Sequence, residues 1–452
     1  MVQSEAADAG WLAQRIGGVR PADIHRGIAA LIDARVLDAG QQMPTVRDVA
    51  AELGISVGTV STAWAQLRRD GLLITRRRGG TTVAAPRSSR IGVELDLSAA
   101  SADPALLPDL SRSVEELIRR GRSDGAPAIT AELRRAAARR WPYRPPALIA
   151  VQGVRAALHL ITSALVDPGA PIAAVDPLCR RTADVLRRLG RPILPVVEDE
   201  HGPLPDSLAR AFAAGARLFC FEPTNAVPAG SSVSEPRALE LADVVRRTEQ
   251  GTYVFEESTT AGFSEGLSLG GRLPDQVLHA ATYARAFGGD LAVALLSGPA
   301  DAIGRLAELQ ADQGALAGIL DQHVLAHLLG DRATARRTRS AADVYRIRNS
   351  RLRHALRDRG VAAQGNEFFL WIPVLDEPEA VESLARRGVR ASPGAQSTLV
   401  ADVGPHLRLG TTRLPDGSKE IELLADLITE AAALRQHSPG ASRAAAPHKV
   451  EG

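Results

Sequence analysis

From about residue 106 to 345, short apolar runs alternate with segments patterned for helices. The runs are PIAAVD at 171–176, ARLFCFE at 216–222, TYVFEE at 252–257 and DLAVALLSG at 290–298. Strands alternating with helices predict an α/β body with a large, mostly parallel sheet. Residues 346–436 carry the runs FFLWIPV and HLRLGTT and a helix from Glu420, which predicts a small α+β subdomain. Ahead of the body, residues 19–86 predict a compact module of three helices and a hairpin. Residues 87–105 are rich in Ser, Pro and Ala and are expected as a linker. Residues 1–18 and 437–452 are expected as a disordered extension and a disordered tail.

Composition excludes several function classes. No stretch of 18 apolar residues lacks a charge, so no membrane-spanning helix is expected. The start, MVQSEAADAG, has neither the basic nor the apolar region of a secretory signal. Two cysteines, Cys179 and Cys220, are too few for a disulfide framework or a thiolate zinc site, and a cytoplasmic protein is expected. Of 54 basic residues only Lys419 and Lys449 are lysines. Chemistry that needs a lysine amine in the middle of the chain is therefore excluded.

In the N-terminal module, Ile24, Ile28, Leu31 and Ile32 are spaced for one helical face. Thr45 caps a second helix with Val46, Val49, Ala50 and Leu53 inward, and Gly54 ends it. Ser56 caps a third, with Val57, Val60, Trp64 and Leu67 as its buried stripe. Gly58, Thr59, Ser61 and Thr62 remain on the outside. Two helices joined by a short Gly-containing turn make a helix-turn-helix, whose second helix reads the major groove. LLITRRRGGTTVAA then reads as two strands around a basic turn, a wing. Residues 61–90 hold seven arginines against one acid, Asp70, a charge excess suited to phosphates.

RVLDAGQQMPTVRDVAAELGISVGTVSTAWAQLRRDGLLITRRRGGTTV resembles the winged helix-turn-helix of GntR-family bacterial repressors. The resemblance implies DNA contacts from Arg47, from Ser56, Thr59 and Ser61 at the start of the recognition helix, and from Gly80 of the wing. The wing arginines Arg76, Arg77 and Arg78 are expected on phosphates. Where the family usually has an Arg after the cap Ser, this chain has Val57, so a frequent guanine-reading side chain is missing.

VQGVRAALHLITSALVDPGAPIAAVDPLCRRTADVLRRLG resembles the start of the large domain of fold-type I aminotransferases. EPTNAVPAG, YVFEES, TYARAFGGDLAVALLSGP and PHLRLG continue the match in order. A GntR module fused to such a domain is the architecture of MocR-like regulators, which usually bind pyridoxal phosphate as a sensor. The resemblance places Arg285 where the family has its Schiff-base lysine. A guanidinium stays protonated and cannot form the internal aldimine. The ring-stacking aromatic becomes Cys179 and the Asn-like residue before Pro228 becomes Val227. The Asp paired with the pyridine nitrogen becomes Glu257, the Tyr two residues on becomes Thr259, and the phosphate Arg becomes Ala292. Arg408 matches the substrate-carboxylate arginine.

Three other motifs read as structural. Gly266-Leu267-Ser268-Leu269-Gly270 fits G-x-S-x-G but lacks the strand before and the helix after that a nucleophile elbow needs. His323 and His327, with Asp331 a turn on, lack the glutamate of a zinc helix and are expected on the polar side of an amphipathic helix. GDRATARRTR at 330–339 reads as a solvated charge run.

These readings describe a homodimeric transcription regulator on double-stranded operator DNA. Its degenerate cleft, marked by Cys179, Val227, Glu257, Arg285 and Arg408, is expected to hold a small-molecule effector, and no cofactor is expected. An acidic effector, or an Arg285–Glu257 ion pair filling the site, are the two alternatives for that cleft. A pyridoxal phosphate enzyme or sensor, and a dimer with an empty cleft, are the competing functions.

Overall fold

The computed structural model describes residues 8–33, 36–37, 40–69, 72–76, 80–83, 95–120, 127–400 and 403–434. It divides into two compact units, residues 1–93 and 94–452.

Among the described residues, the first unit has four helices, α1 (Ala9–Ala13), α2 (Pro21–Asp33), α3 (Val46–Glu52) and α4 (Val57–Arg69). A hairpin follows, of β1 (Leu73–Arg76) and β2 (Gly80–Val83), with Leu73 opposite Val83 and Arg76 opposite Gly80. Ile24 and Ile28 of α2, Val49 of α3, and Val60, Trp64 and Leu67 of α4 form the core, closed by Leu73 and Val83. Two expectations are corrected. Residues 1–18 are not all a loose extension: α1 packs on α3, and Ala9, Leu12 and Ile16 are buried in the same core. Ala9 and Leu12 lie one turn apart on α1 and Ile16 follows its end, too short a stripe to stand out in the sequence. Val57 is not buried but 48% exposed. It is the first residue of its helix, and a side chain tilted toward the N-terminus there projects past the packed stripe.

The second unit is built on seven strands. They are β4 (Ala147–Val151), β5 (Ile172–Val175), β6 (Ile193–Val196), β9 (Leu218–Phe221), β10 (Tyr253–Ser258), β11 (Val277–Thr282) and β12 (Ala294–Gly298). A two-residue strand, β3 (Leu95–Asp96), precedes them, and a small hairpin, β7 (Glu198–Asp199) with β8 (Gly202–Pro203), follows β6. The sheet order is β4-β12-β11-β10-β9-β5-β6; β12 runs antiparallel to both its neighbours and every other pairing is parallel. Alternate residues serve opposite faces: Ile149 and Val151 of β4 enter one core, Leu148 and Ala150 another.

A smaller antiparallel sheet combines β13 (Gln364–Gly365), β14 (Phe369–Pro373), β16 (Ser392–Pro393) and β17 (His406–Gly410). It packs with the helices Arg332–Asp358 and Glu377–Arg386, and the helix Ser418–Ala432 packs on both of these. Of the three helices, Arg332–Asp358 runs straight through residue 345, where a domain boundary was expected.

The expected linker 87–105 is also corrected from residue 95 onward. β3 pairs in parallel with β15 (Val389–Arg390), and the chain continues as a strap tied to the body. Gly410 N donates to Leu97 O at 2.7 Å, and Thr412 Oγ1 donates to Ser101 O at 2.6 Å. Arg413 donates to Ala102 O through both Nε and Nη2, at 3.0 and 2.9 Å. The strap passes so close that a Cβ on Gly410 would lie 2.3 Å from Ala99 O. Small residues, read as linker composition, are what let two backbones approach this closely. Residues 437–452 lie outside the described residues.

Candidate functional site

In the first unit, capping fixes both helices of the helix-turn-helix. Thr45 Oγ1 accepts from Asp48 N at 3.2 Å, and Ser56 Oγ accepts from Thr59 N at 3.2 Å. Gly54, at φ +64°, turns the chain between them. Arg47, Ser56 and Ser61 are exposed together with Val57, Gly58 and Thr62. Thr59 is half-buried, and its Oγ1 lies 2.9 Å from Ser56 Oγ, so these two side chains are engaged with each other. Gly80 is exposed with φ +71°, and a Cβ there would meet Gln42 Nε2 at 2.4 Å. The Arg76 side chain, and Arg77 and Arg78 entirely, lie outside the described residues.

In the second unit, Cys179, Val227, Glu257, Arg285 and Arg408 line one cavity of about 380 Å³. Residues more than 200 positions apart thus converge as the sequence led us to expect. Cys179 caps the helix Arg180–Leu189, and Arg285 lies in the single turn after β11. The floor is at the carboxyl ends of parallel strands, where ligands of α/β folds bind.

Two buried carboxyls meet there. The pairing of β9 with β10 sets Glu256 beside Phe221, so the next residues, Glu222 and Glu257, are neighbours. Glu257 accepts from Thr182 Oγ1. Glu222 accepts from Val227 N at 3.0 Å, from Thr259 N at 3.1 Å and from Thr259 Oγ1. Burial, and then the charge of Glu257, push Glu222 up to about 8; burial also raises Glu257. Burial and the same two acids push the Cys179 thiol up to about 12, so it is not a thiolate nucleophile.

Arg285 does not form the ion pair that was one of the two alternatives for this cleft. Among the described residues no ion pair joins it to Glu257 or Glu222; Nη1 donates instead to Thr259 O at 2.9 Å. Its guanidinium carbon lies 5.3 Å from the Phe368 ring centre and 5.1 Å from that of Phe369. Arg408 is 4% exposed and donates through Nη2 to Ser98 O at 3.1 Å and Ser392 Oγ at 3.2 Å. Burial, and the charges of Arg180, Arg285 and Arg181, pull it down to about 10.

Several residues were missed in the sequence: Arg180, Arg181, Phe369 and the strap Ala99–Ala102 line the cavity, and Glu222 and Thr182 line a small adjoining one that shares Cys179, Val227 and Glu257 with it. Glu222 carried a signal, a charge closing an apolar strand. So did Arg180-Arg181, directly after Cys179. The strap carried none.

The other motifs fall as structure. Ser268 caps a short 3₁₀ turn and donates to Glu256 Oε2 at 2.5 Å. Glu256 also takes Leu269 N at 2.7 Å and pairs with His279 Nδ1 at 2.8 Å, on the sheet face opposite Glu257. His323 is buried rather than on the polar side, 3.5 Å from Glu132. Its helix packs on its neighbours from several sides, which a two-sided pattern cannot convey.

The pH response of Glu222 follows from its environment. Its folded value stands above the ordinary carboxylate value, so the folded state binds the extra proton. Stability is then full below about pH 4.5 and is lost as pH rises toward 8. One such proton corresponds to a slope of up to about 1.4 kcal/mol per pH unit. Thermal melts of the full chain from pH 5 to 8 should show this decline, and Glu222→Gln should flatten it. Equal slopes for both proteins would show that Glu222 ionises normally.

Residues 22–83 match the gntR family of bacterial regulatory proteins. Over nearly its whole length the chain is 28% identical to the vitamin B6 salvage pathway transcriptional repressor PtsJ of Salmonella typhimurium, covering 92% of this chain and 99% of that one. It is 25% identical to the pyridoxine biosynthesis transcriptional regulator PdxR of Corynebacterium glutamicum, over 85% and 92% of the two chains. The fold is similar to that of LysN, an α-aminoadipate aminotransferase of Thermus thermophilus, with TM-score 0.67 and 20% identity over 76% of this chain and 92% of that one. An archaeal alanine:glyoxylate aminotransferase gives TM-score 0.68 at 18% identity, over 76% and 93%. The chain is thus a GntR-type winged helix-turn-helix fused to an aminotransferase-like fold, the architecture of MocR-like transcription regulators.

Proposed function

We propose that this cytoplasmic regulator binds operator DNA as a homodimer and that its aminotransferase-like body is a sensor without transamination chemistry. Arg47, Ser56, Thr59, Ser61, Gly80 and the wing arginines Arg76, Arg77 and Arg78 contact DNA. Phosphate contacts from the arginines position the protein, and the start of α4 reads bases. Exposed Val57 offers an apolar contact to a thymine methyl where the family usually has an arginine.

One observation carries the sensor reading: a guanidinium, Arg285, stands in the cleft where an amine is needed. Bound pyridoxal phosphate would supply an electron sink for amine substrates. The residues present do not fit it. Arg285 is hydrogen-bonded to Thr259 O, and the only lysines are Lys419 and Lys449. Cys179 offers no ring to stack on, and Glu257 is held by Thr182. The cleft therefore binds a small molecule by its own charges. The strap over it continues from the DNA-binding unit in sequence, and Arg408, a cleft residue, holds its Ser98. An effector that takes hydrogen bonds from Arg408 competes with that carbonyl and so changes the strap.

A second reading, a sensor of non-covalently bound vitamin B6, is favoured by the names of the two full-length relatives. One experiment separates the two. Protein purified with excess pyridoxal phosphate should be colourless and give no borohydride-reducible adduct, and Arg285→Lys should not restore one. A yellow, reducible adduct in either protein would sink the first reading. Retention of unreduced pyridoxal phosphate through gel filtration would support the second.

A further inference from the structure

The charges of the cleft define a ligand class, and this inference rests on the sensor reading above. Its walls carry Arg180, Arg181, Arg285, Arg408 and Arg413. Against them stand Glu257 and, exposed at the rim, Asp290. Glu257 and its neighbour Glu222 already take hydrogen bonds from Thr182, Thr259 and the Val227 backbone. The arginines thus outnumber the acids, and both buried acids are turned to protein donors.

Two of the arginines are fixed as a pair. The guanidinium carbons of Arg285 and Arg408 lie 5.1 and 5.3 Å from the same ring centre, that of Phe369, so their separation cannot exceed the sum, about 10.4 Å. Each keeps donors that protein does not use. Arg408 Nε is buried with no acceptor among the described residues, although the residue is 96% buried, being 4% exposed. Among the described residues Arg285 makes one hydrogen bond, from Nη1, and its guanidinium has five N–H donors in all. A buried donor left unmade costs free energy, and a planar fork matches a carboxylate in both charge and shape. A monoacid satisfies one fork and leaves the other bare.

We propose that the cleft binds a short-chain dicarboxylic acid, one carboxylate on Arg408 and the other on Arg285, with its carbon chain against Phe369. The span between the two forks selects chain length, and Phe369 provides the apolar surface between them. The ligand needs no amine, since the cleft offers no group to react with one.

The test is calorimetric titration of the full-length protein with succinate and glutarate. Butyrate serves as the single-charge control, and pyridoxal phosphate and inorganic phosphate as competing anions. At least one diacid should bind at least tenfold more tightly than butyrate. Arg285→Gln and Arg408→Gln should each weaken diacid binding at least tenfold, toward the affinity of butyrate. The far-ultraviolet spectrum of each variant checks its fold. Should Arg285→Gln unfold the chain, Phe369→Ala replaces it, with the same tenfold loss expected. Diacid binding that survives Arg285→Gln, or none at millimolar concentration, overturns the proposal. If pyridoxal phosphate or phosphate then binds, the sensor reading stands with another ligand. If nothing binds, the sensor reading fails as well.

Discussion

Alanine at Arg47, Arg76, Arg77 and Arg78 together is expected to weaken operator binding by several orders of magnitude. Each phosphate contact releases condensed counterions, so log K falls with log salt by roughly 0.9 per contact. Four lost contacts should flatten that slope by about three to four. The loss should be similar on operator and on unrelated DNA, since phosphates carry no sequence information. Binding isotherms at several salt concentrations measure both quantities. An unchanged slope would remove the wing and α3 from the interface. Thr59 calls for a different expectation. It is half-buried and bonded to the Ser56 side chain, so replacing it disturbs the helix cap as well as the DNA face. Ser61, exposed two residues further on, is the cleaner probe of base preference.

How much could be read beforehand depended on the range of the interactions. Elements set by local chemistry were legible. Thr45 and Ser56 cap as expected, Gly54 turns the chain, and the apolar runs at 171–176, 216–222 and 252–257 are strands of one mixed sheet. The cleft was legible in part, because the order of its motifs located Cys179, Val227, Glu257, Arg285 and Arg408. Their hydrogen bonds were not, because they depend on third parties. Glu257 is taken by Thr182, 75 residues away, and Arg285 by the Thr259 carbonyl, which no side-chain pattern reports. The Arg285–Glu257 pair, one of the two alternatives for the cleft, does not form: Arg285 is engaged by a backbone acceptor and lies beside two aromatic rings, and Glu257 is engaged by Thr182.

The strap was misread for a related reason. Loop composition says that a segment lacks its own periodicity, not that it lacks partners. Residues 95–107 bury no large helix face, yet backbone after backbone is bonded to the body. Leu95 N donates to Gly388 O at 2.8 Å and Leu97 N to Arg390 O at 2.9 Å, and Asp103 N donates to Tyr345 Oη at 3.0 Å. α1 was lost in the same way, since a five-residue helix is too short for its stripe to stand out.

The strap's strongest tie gives the second large effect. Arg348 is 8% exposed, on the long helix Arg332–Asp358. Its Nη1 donates to Asp103 Oδ2 at 2.7 Å and to Thr412 O at 2.7 Å. Its Nε and Nη2 make a fork onto Asp416, at 2.9 and 3.2 Å. One guanidinium therefore joins the strap, the end of the small sheet and the long helix. Removing one partner of a buried pair strands the others, and Arg348→Ala should cost about 3–5 kcal/mol. Asp416 is largely exposed and recovers water, which places the loss toward the lower end of that range. Lysine cannot span three acceptors from a single point charge, so Arg348→Lys should recover only part of it. Denaturant unfolding of the full chain measures the loss, and limited proteolysis reads the strap directly, with new cleavage expected between residues 95 and 107. A loss below about 1 kcal/mol with no new cleavage would mean that the backbone hydrogen bonds alone hold the strap. Arg348 would then add little to the strap, and the cleft would touch the strap through Arg408 on Ser98 and Arg413 on Ala102.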